Sequence, residues 1–98
     1  MAEIRWTKES YLWLKDIYDY IALDNPKAAS RVVEGIFYKV QALKRMPEMG
    51  YRYYRCEDQN IRILLYGHYR IVYRLNPTAD VDVLGIFHGS LDIDKYCF

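Results

Sequence analysis

The sequence is poor in the residues that define metal-stabilised and disulfide-stabilised proteins. It contains two cysteines, two histidines and three prolines among 98 residues. Cys56 and Cys97 are far apart, and neither has a second cysteine or a histidine at metal-ligand spacing. This pattern argues against a zinc site and against a disulfide framework. We therefore predict two free thiols, no metal and no other cofactor.

Long apolar runs are also missing. No stretch reaches the roughly 18–20 apolar residues that a membrane span requires. The N-terminus does not carry a basic segment followed by an apolar one, as a signal sequence would. The sequence thus predicts a cytoplasmic protein without a membrane anchor. A hydrophobic content of 52% with 28% charged residues predicts one folded domain over residues 1–98.

The chain has almost no net charge, at +1, which argues against a generally basic nucleic-acid-binding protein. The charge is nevertheless uneven, since residues 51–77 carry five arginines against two acidic residues. Six tyrosines lie among those arginines, most densely over Tyr69–Arg74. Arginine offers a planar cationic fork for phosphate or carboxylate, and tyrosine adds an apolar face with a polar tip. This block predicts a local surface for an anionic partner.

The first half of the chain predicts a short strand and two helices. Residues 3–6 alternate between polar and apolar, which is typical of a strand. Apolar residues then recur at steps of three and four over residues 8–23 and again over residues 26–46. Thr7 and Asn25 stand where N-caps are expected. Because only two or three residues separate the helices, they must form an antiparallel hairpin.

The second half predicts a three-stranded antiparallel meander. Ile61–Tyr66, Tyr69–Leu75 and Val81–His88 are rich in β-branched and aromatic residues and are separated by turn signals. Residues 51–55 predict a further extended piece, and residues 91–98 a turn of helix or a docked tail. The predicted fold is α+β: an N-terminal strand and an antiparallel two-helix hairpin packed on a mainly antiparallel three- to four-stranded sheet.

This order of elements, with particular residues at the joints, resembles the RelE/ParE superfamily of bacterial toxins over nearly the whole chain. The residues that carry the resemblance are Ile4-Arg5-Trp6-Thr7, Tyr20-Ile21-Ala22, Asn25-Pro26-Lys27-Ala28-Ala29, Leu43, Pro47, Gly50, Arg62, Tyr69-Arg70-Ile71-Val72-Tyr73 and Val83-Leu84-Gly85-Ile86-Phe87-His88-Gly89.

The resemblance implies the toxin half of a type II toxin-antitoxin pair of the plasmid-stabilisation type. A cognate antitoxin neutralises such a toxin by direct binding. RelE-like members cut messenger RNA on the ribosome without a metal, whereas ParE-like members poison DNA gyrase. A third possibility is a degenerate member that binds only its antitoxin and represses their operon.

The RelE-like alternative implies a catalytic set. Metal-free cleavage uses the 2′-hydroxyl of the RNA as nucleophile, so it needs a base, an acid and cations around the phosphorane. Arg70 matches the strand arginine of RelE-like nucleases, and Arg62 could add charge. His88 could act as acid or base, and Tyr96 lies near the position of their C-terminal tyrosine.

The ParE-like alternative implies a binding surface and no active site. RelE-like nucleases carry a second basic residue just after the last core strand, where this chain has Ser90 followed by Leu91 and Asp92. Arginine is also a poor proton donor or acceptor. We therefore interpret the arginines first as a binding surface, with gyrase preferred over the ribosome as target. The predicted binding residues are Arg55, Arg62, Arg70 and Arg74.

Overall fold

The computed structural model describes residues 3–53 and 60–89, in which the chain forms two α-helices, one 3₁₀ helix and five strands. In chain order they are β1 (Ile4–Trp6), α1 (Lys8–Ala22), α2 (Pro26–Gln41), a 3₁₀ helix (Ala42–Lys44), β2 (Tyr51–Arg52), β3 (Ile61–Tyr66), β4 (Tyr69–Leu75) and β5 (Val81–His88). The predicted order of strand, helical hairpin and meander is confirmed. The predicted tail over residues 91–98 lies outside the described residues.

Side-chain caps fix where both helices begin. The Thr7 hydroxyl accepts a hydrogen bond from the Ser10 amide at 3.2 Å, and the Asn25 side chain accepts one from the Ala28 amide at 3.1 Å. Pro26 takes the first position of α2, where no amide donor is missed. The Thr7 hydroxyl also donates to the Val83 carbonyl at 2.7 Å, which ties the start of α1 to β5. Within the described ranges, neither helix has the length and apolarity to cross a membrane.

The second helix ends earlier than the sequence predicts. Regular α-helix stops at Gln41, and the chain continues as a 3₁₀ helix, in which the Arg45 amide donates to the Ala42 carbonyl at 3.2 Å. Tightening of the last turn is common at helix ends because it uses carbonyls that would otherwise lack donors. The predicted end near Met46 was wrong by about one helical turn.

The sheet has the strand order β1-β5-β4-β3-β2. The meander β3-β4-β5 is antiparallel, and β2 adds antiparallel to β3. The N-terminal strand also joins this sheet, parallel to β5, with Ile4 opposite Val81 and Trp6 opposite Val83. The sheet is therefore mixed and five-stranded, one or two strands wider than predicted, while its mainly antiparallel character is confirmed.

The main core lies between the helices and one face of the sheet. Alternation along β4 sends Ile71, Tyr73 and Leu75 toward the helices, as predicted, where they are buried with Ile36 and Val40 of α2. A second buried cluster forms on the opposite face of the sheet, which we call the open face. Its members are Ile61, Ile63, Val72 and Phe87. Of the two helices, α1 reaches the edge of this cluster through Trp13, whose ring contacts that of Phe87 at a centroid distance of 4.6 Å.

Tyr73 fixes the turn that leads from the helices into β2. Its hydroxyl donates to the Pro47 carbonyl at 2.7 Å and accepts a hydrogen bond from the Gly50 amide at 2.9 Å. Burial raises the pKa of this phenol above its ordinary value, against the lowering effects of the Gly50 amide and of Arg62. The phenol therefore stays protonated at neutral pH and remains able to donate.

Candidate functional site

The predicted arginines are divided between the two faces of the sheet. Arg70 and Arg74 lie on the open face, at alternate positions with the buried Val72. Arg62 stands directly opposite Tyr73, and directly opposed residues of an antiparallel pair project to the same face. Because Tyr73 faces the helices, Arg62 does so too. The expectation that Arg62 neighbours Arg70 and Arg74 on one face was wrong.

Arg62 is bound to the backbone on the helix side. Its Nη1 donates to the Gly50 carbonyl at 2.8 Å and to the Glu48 carbonyl at 3.2 Å. These carbonyls belong to the same turn that Tyr73 holds. Arg62 thus stabilises the chain segment before β2, and its donor Nη1 is already used for that purpose.

Arg70 lies at the end of the open face near the β3–β4 turn. Its Nη2 donates to the Gly89 carbonyl at 2.8 Å, which steadies the guanidinium beside the end of β5. Opposite it on β3 is Leu65, whose surface is 54% exposed although it is a large apolar residue. Tyr51 of β2 projects to the same face and is 49% exposed. Arg70, Leu65 and Tyr51 together form a partly apolar, cationic surface, which we call the Arg70 surface.

Arg74 belongs to an ion cluster at the other end of the open face. The Asp82 carboxylate lies 3.6 Å from Arg74 Nη1 and 2.7 Å from Arg5 Nε, and it accepts a hydrogen bond from Asn76 at 3.1 Å. The three charged residues come from neighbouring strands, β4, β5 and β1, in direct register. The positive charge of Arg74 is therefore partly balanced by Asp82, and its binding role stays a prediction.

The pKa of Asp82 gives this cluster a pH dependence. Burial alone would raise it, but the hydrogen bonds from Asn76 and Arg5 and the charges of Arg5 and Arg74 outweigh burial, so the pKa lies below its ordinary value. A carboxyl whose pKa is lowered by folding stabilises the fold above its unfolded pKa of about 3.9. This contribution is lost as the pH falls through the lower, folded pKa.

We expect Asp82→Asn to lower the free energy of unfolding by about 1 kcal/mol at pH 7, because Arg5 and Arg74 then face each other without a counter-charge. Denaturant unfolding at pH 7 and at decreasing pH measures this. The variant and the wild type should converge at acid pH, where Asp82 is protonated. Asp24→Asn is the control, since Asp24 is exposed at the join of the helices and has no ion pair within residues 3–53 and 60–89. A constant difference across this pH range would contradict the ion cluster.

His88 does not share a face with Arg70. It lies opposite Tyr69, which packs on the helix-side core, and its ring contacts those of Tyr69 and His68 at centroid distances of 5.7 Å and 6.2 Å. Arg62 is on the same face as His88, but the residues paired with them, Tyr73 and Tyr69, are four positions apart on β4. This corresponds to about 13 Å along the strand.

The predicted catalytic set is therefore not assembled by the described residues. Arg70 projects from one face, whereas Arg62 and His88 project from the other at opposite ends of the sheet. The predicted Tyr96 and the predicted binding residue Arg55 lie outside the described residues. In the described part of the chain, no three histidine, cysteine, aspartate or glutamate residues come together as a metal-binding group.

A cavity between α1 and the ends of β4 and β5 was not predicted. Its volume is about 490 Å³. It is lined by Trp13, Asp16, Ile17, Tyr20, Ile21, Tyr69, Ile86 and His88. The available signal was the spacing of Trp13, Asp16 and Tyr20 at positions i, i+3 and i+7, which places them on one side of a helix. The apolar stripe of α1 accounts for Ile17 and Ile21 in this lining but not for Trp13, Asp16 or Tyr20.

Comparison with known proteins supports both the observed fold and the family resemblance seen in the sequence. Residues 4–93 match the family model described as the ParE toxin of the type II toxin-antitoxin system parDE. The chain belongs to this ParE toxin family. The sequence-based resemblance is thereby confirmed, and the protein is a type II toxin of the ParE/RelE kind.

Individual relatives support the same assignment. A protein of Sinorhizobium fredii named "Putative toxin Y4kP" is 38% identical over 86 residues, which is 88% of this chain and 86% of that protein. Two solved structures share the fold. The chromosomal ParDE system of P. aeruginosa matches with a TM-score of 0.72 at 24% identity, covering 90% of this chain and 96% of that one. The toxin-antitoxin complex RelBE2 of Mycobacterium tuberculosis matches with a TM-score of 0.62 at 25% identity, covering 89% and 96%.

Proposed function

We propose that this ParE-family toxin arrests growth by binding DNA gyrase and has no active site of its own. The observation that carries the proposal is the separation of Arg70 from Arg62 and His88 by the plane of the sheet. A general base or acid must lie within hydrogen-bond reach of the group to which it transfers a proton. Residues on opposite faces of a packed sheet cannot reach the same substrate group. A binding function needs no such convergence.

The composition of the Arg70 surface also supports a protein target. Arginine and tyrosine are enriched among the residues that dominate protein–protein binding energy, and exposed leucine adds apolar contact area. Arg70 is held by the Gly89 carbonyl, so less side-chain entropy is lost when it binds a partner. The near-neutral chain is less suited to the ribosome, whose surface offers mainly phosphate.

We also propose that a cognate antitoxin neutralises this toxin by direct binding. The structures that share its fold are named as toxin-antitoxin systems or complexes, and the family is defined by such pairs. Partly disordered segments that fold on binding suit this role because they can cover a large surface. We expect the antitoxin to cover the Arg70 surface and thereby to block the target.

A supercoiling assay with purified gyrase tests the gyrase proposal. Excess toxin should inhibit supercoiling and cause cleavage complexes to accumulate, and prior mixing with the antitoxin should restore activity. Unchanged supercoiling without cleavage complexes at excess toxin would contradict it. The antitoxin-bound toxin is the matched control, since it contains the same protein with its binding surface covered.

The alternative is a RelE-like ribosome-dependent nuclease, which the match to RelBE2 and the half-buried guanidinium of Arg70 near the start of β4 favour. Primer extension on translated messages distinguishes the two targets, because cleavage should appear only when ribosomes are present. A degenerate toxin that acts only as a corepressor would cause no growth arrest on induction. Growth, gyrase and translation measurements together therefore separate all three alternatives.

A further inference from the structure

The cavity beside α1, which we call the α1 cavity, is lined by both apolar and polar side chains. Trp13, Tyr20 and Tyr69 contribute aromatic rings, and Ile86 contributes a buried apolar floor. Asp16 places a carboxylate, and His88 an imidazole ring, in this otherwise largely apolar wall. A site that combines several aromatic rings with one carboxylate is suited to an organic cation.

The charge of Asp16 is available to a ligand. Within residues 3–53 and 60–89, Asp16 makes no hydrogen bond or ion pair. The neighbouring cation Lys15 is already bound to Asp19, with 2.8 Å between Lys15 Nζ and Asp19 Oδ2. The arginines of the meander lie elsewhere, Arg70 on the open face and Arg62 at the far end of the helix side. Asp16 is thus a carboxylate in the lining of an aromatic cavity, and among the described residues no cation is bonded to it.

We infer that the α1 cavity binds a lysine or arginine side chain of the antitoxin, whose cation contacts Asp16 and the rings of Trp13, Tyr20 and Tyr69. This inference rests on the proposed neutralisation by an antitoxin. A volume of about 490 Å³ is ample for one such side chain. Its methylene groups would cover the apolar floor while the charge meets the carboxylate.

A basic side chain fits better than an anionic or a purely apolar one. An anion would approach the Asp16 carboxylate and be repelled by it. An apolar side chain would remove water from that carboxylate without replacing its hydrogen bonds, which costs free energy. A cation avoids both costs, and its attraction to aromatic rings increases as water is excluded.

A titration followed by NMR tests the cavity without any antitoxin. The probes are N-acetyl-arginine methylamide and N-acetyl-norleucine methylamide, which both have an unbranched aliphatic stem, but only the arginine probe carries a cation. We expect saturable shifts of the Trp13 indole signal with the arginine probe, and their loss in Asp16→Asn. Equal or stronger binding of the norleucine probe would show an apolar site and overturn the inference, as would the absence of any saturable shift.

Affinity for the purified antitoxin supplies the second test. Asp16→Asn should weaken binding about tenfold, and Tyr20→Leu about threefold, since leucine keeps apolar contact but loses the ring. Glu34→Gln, at an exposed carboxylate on α2 outside the cavity, should stay within twofold of the wild type. An unchanged affinity in Asp16→Asn would overturn the inference. If no antitoxin binds the wild type while the arginine probe does, neutralisation fails but the cation site remains.

Discussion

Gly50→Ala is expected to lower the free energy of unfolding by about 2–4 kcal/mol. A Cβ atom at this position would lie 2.7 Å from Cε1 of Tyr73 and 2.8 Å from the Ile63 carbonyl oxygen. Neither neighbour can easily move, since Tyr73 is fully buried and Ile63 contributes backbone from β3. The extra methyl group would therefore push the turn away and break the hydrogen bond from the Gly50 amide to Tyr73.

Denaturant unfolding measures this effect, and Gly67→Asn is the matched control. Gly67 has a φ of +56° in the β3–β4 turn, but nothing lies within 4 Å of a Cβ atom built there. Asparagine tolerates this left-handed conformation, so the control should lose no more than about 1 kcal/mol. If Gly50→Ala were as stable as the control, the turn before β2 would not depend on its contact with Tyr73.

Arg70→Ala is expected to raise the toxin concentration for half-maximal inhibition of gyrase about 30-fold. Central arginines in protein interfaces commonly contribute about 2 kcal/mol or more, which corresponds to this factor. The fold should be largely retained, because Arg70 belongs to neither buried apolar cluster and its hydrogen bond to the Gly89 carbonyl is exposed to solvent. Supercoiling inhibition and growth arrest on induction should weaken together.

Arg31→Ala is the control for this loss, since Arg31 is an exposed arginine on α2, away from the open face. It should inhibit gyrase at nearly the wild-type concentration. Thermal unfolding of both variants separates lost binding from lost folding. Full potency of a folded Arg70→Ala toxin would show that the Arg70 surface does not contact the target.

Local sequence patterns were sufficient to predict the helices and strands. They were also sufficient to predict which side chains of β4 lie on each face of the sheet. The caps at Thr7 and Asn25 are local because an N-cap bonds to an amide only three residues away. Alternation along β4 is equally local, since successive side chains of a strand always project to opposite faces. These constraints predicted correctly that Ile71 and Tyr73 are buried while Arg70 and Arg74 face away from the helices.

Pairing between strands was not predictable from local patterns. For this reason the prediction that Arg62 shares a face with Arg70 and Arg74 was wrong. A strand's own alternation gives two sets of residues but does not say which set faces the helices. In β3 both sets are apolar enough to be buried, with Ile61 and Ile63 on one face and Leu64 on the other. Only the register with β4, which places Arg62 opposite Tyr73, decides the outcome.

The sequence by itself determined the α+β class, the helical hairpin, the meander and the membership of a toxin superfamily, because these depend on short-range periodicity and on residues at fixed spacings. The tertiary structure alone decided that β1 pairs in parallel with β5, that Arg62 holds a turn, and that Asp16 lines an aromatic cavity. Each of these results joins residues that are distant in the chain. Their contacts are set by packing and register, which local preferences do not specify.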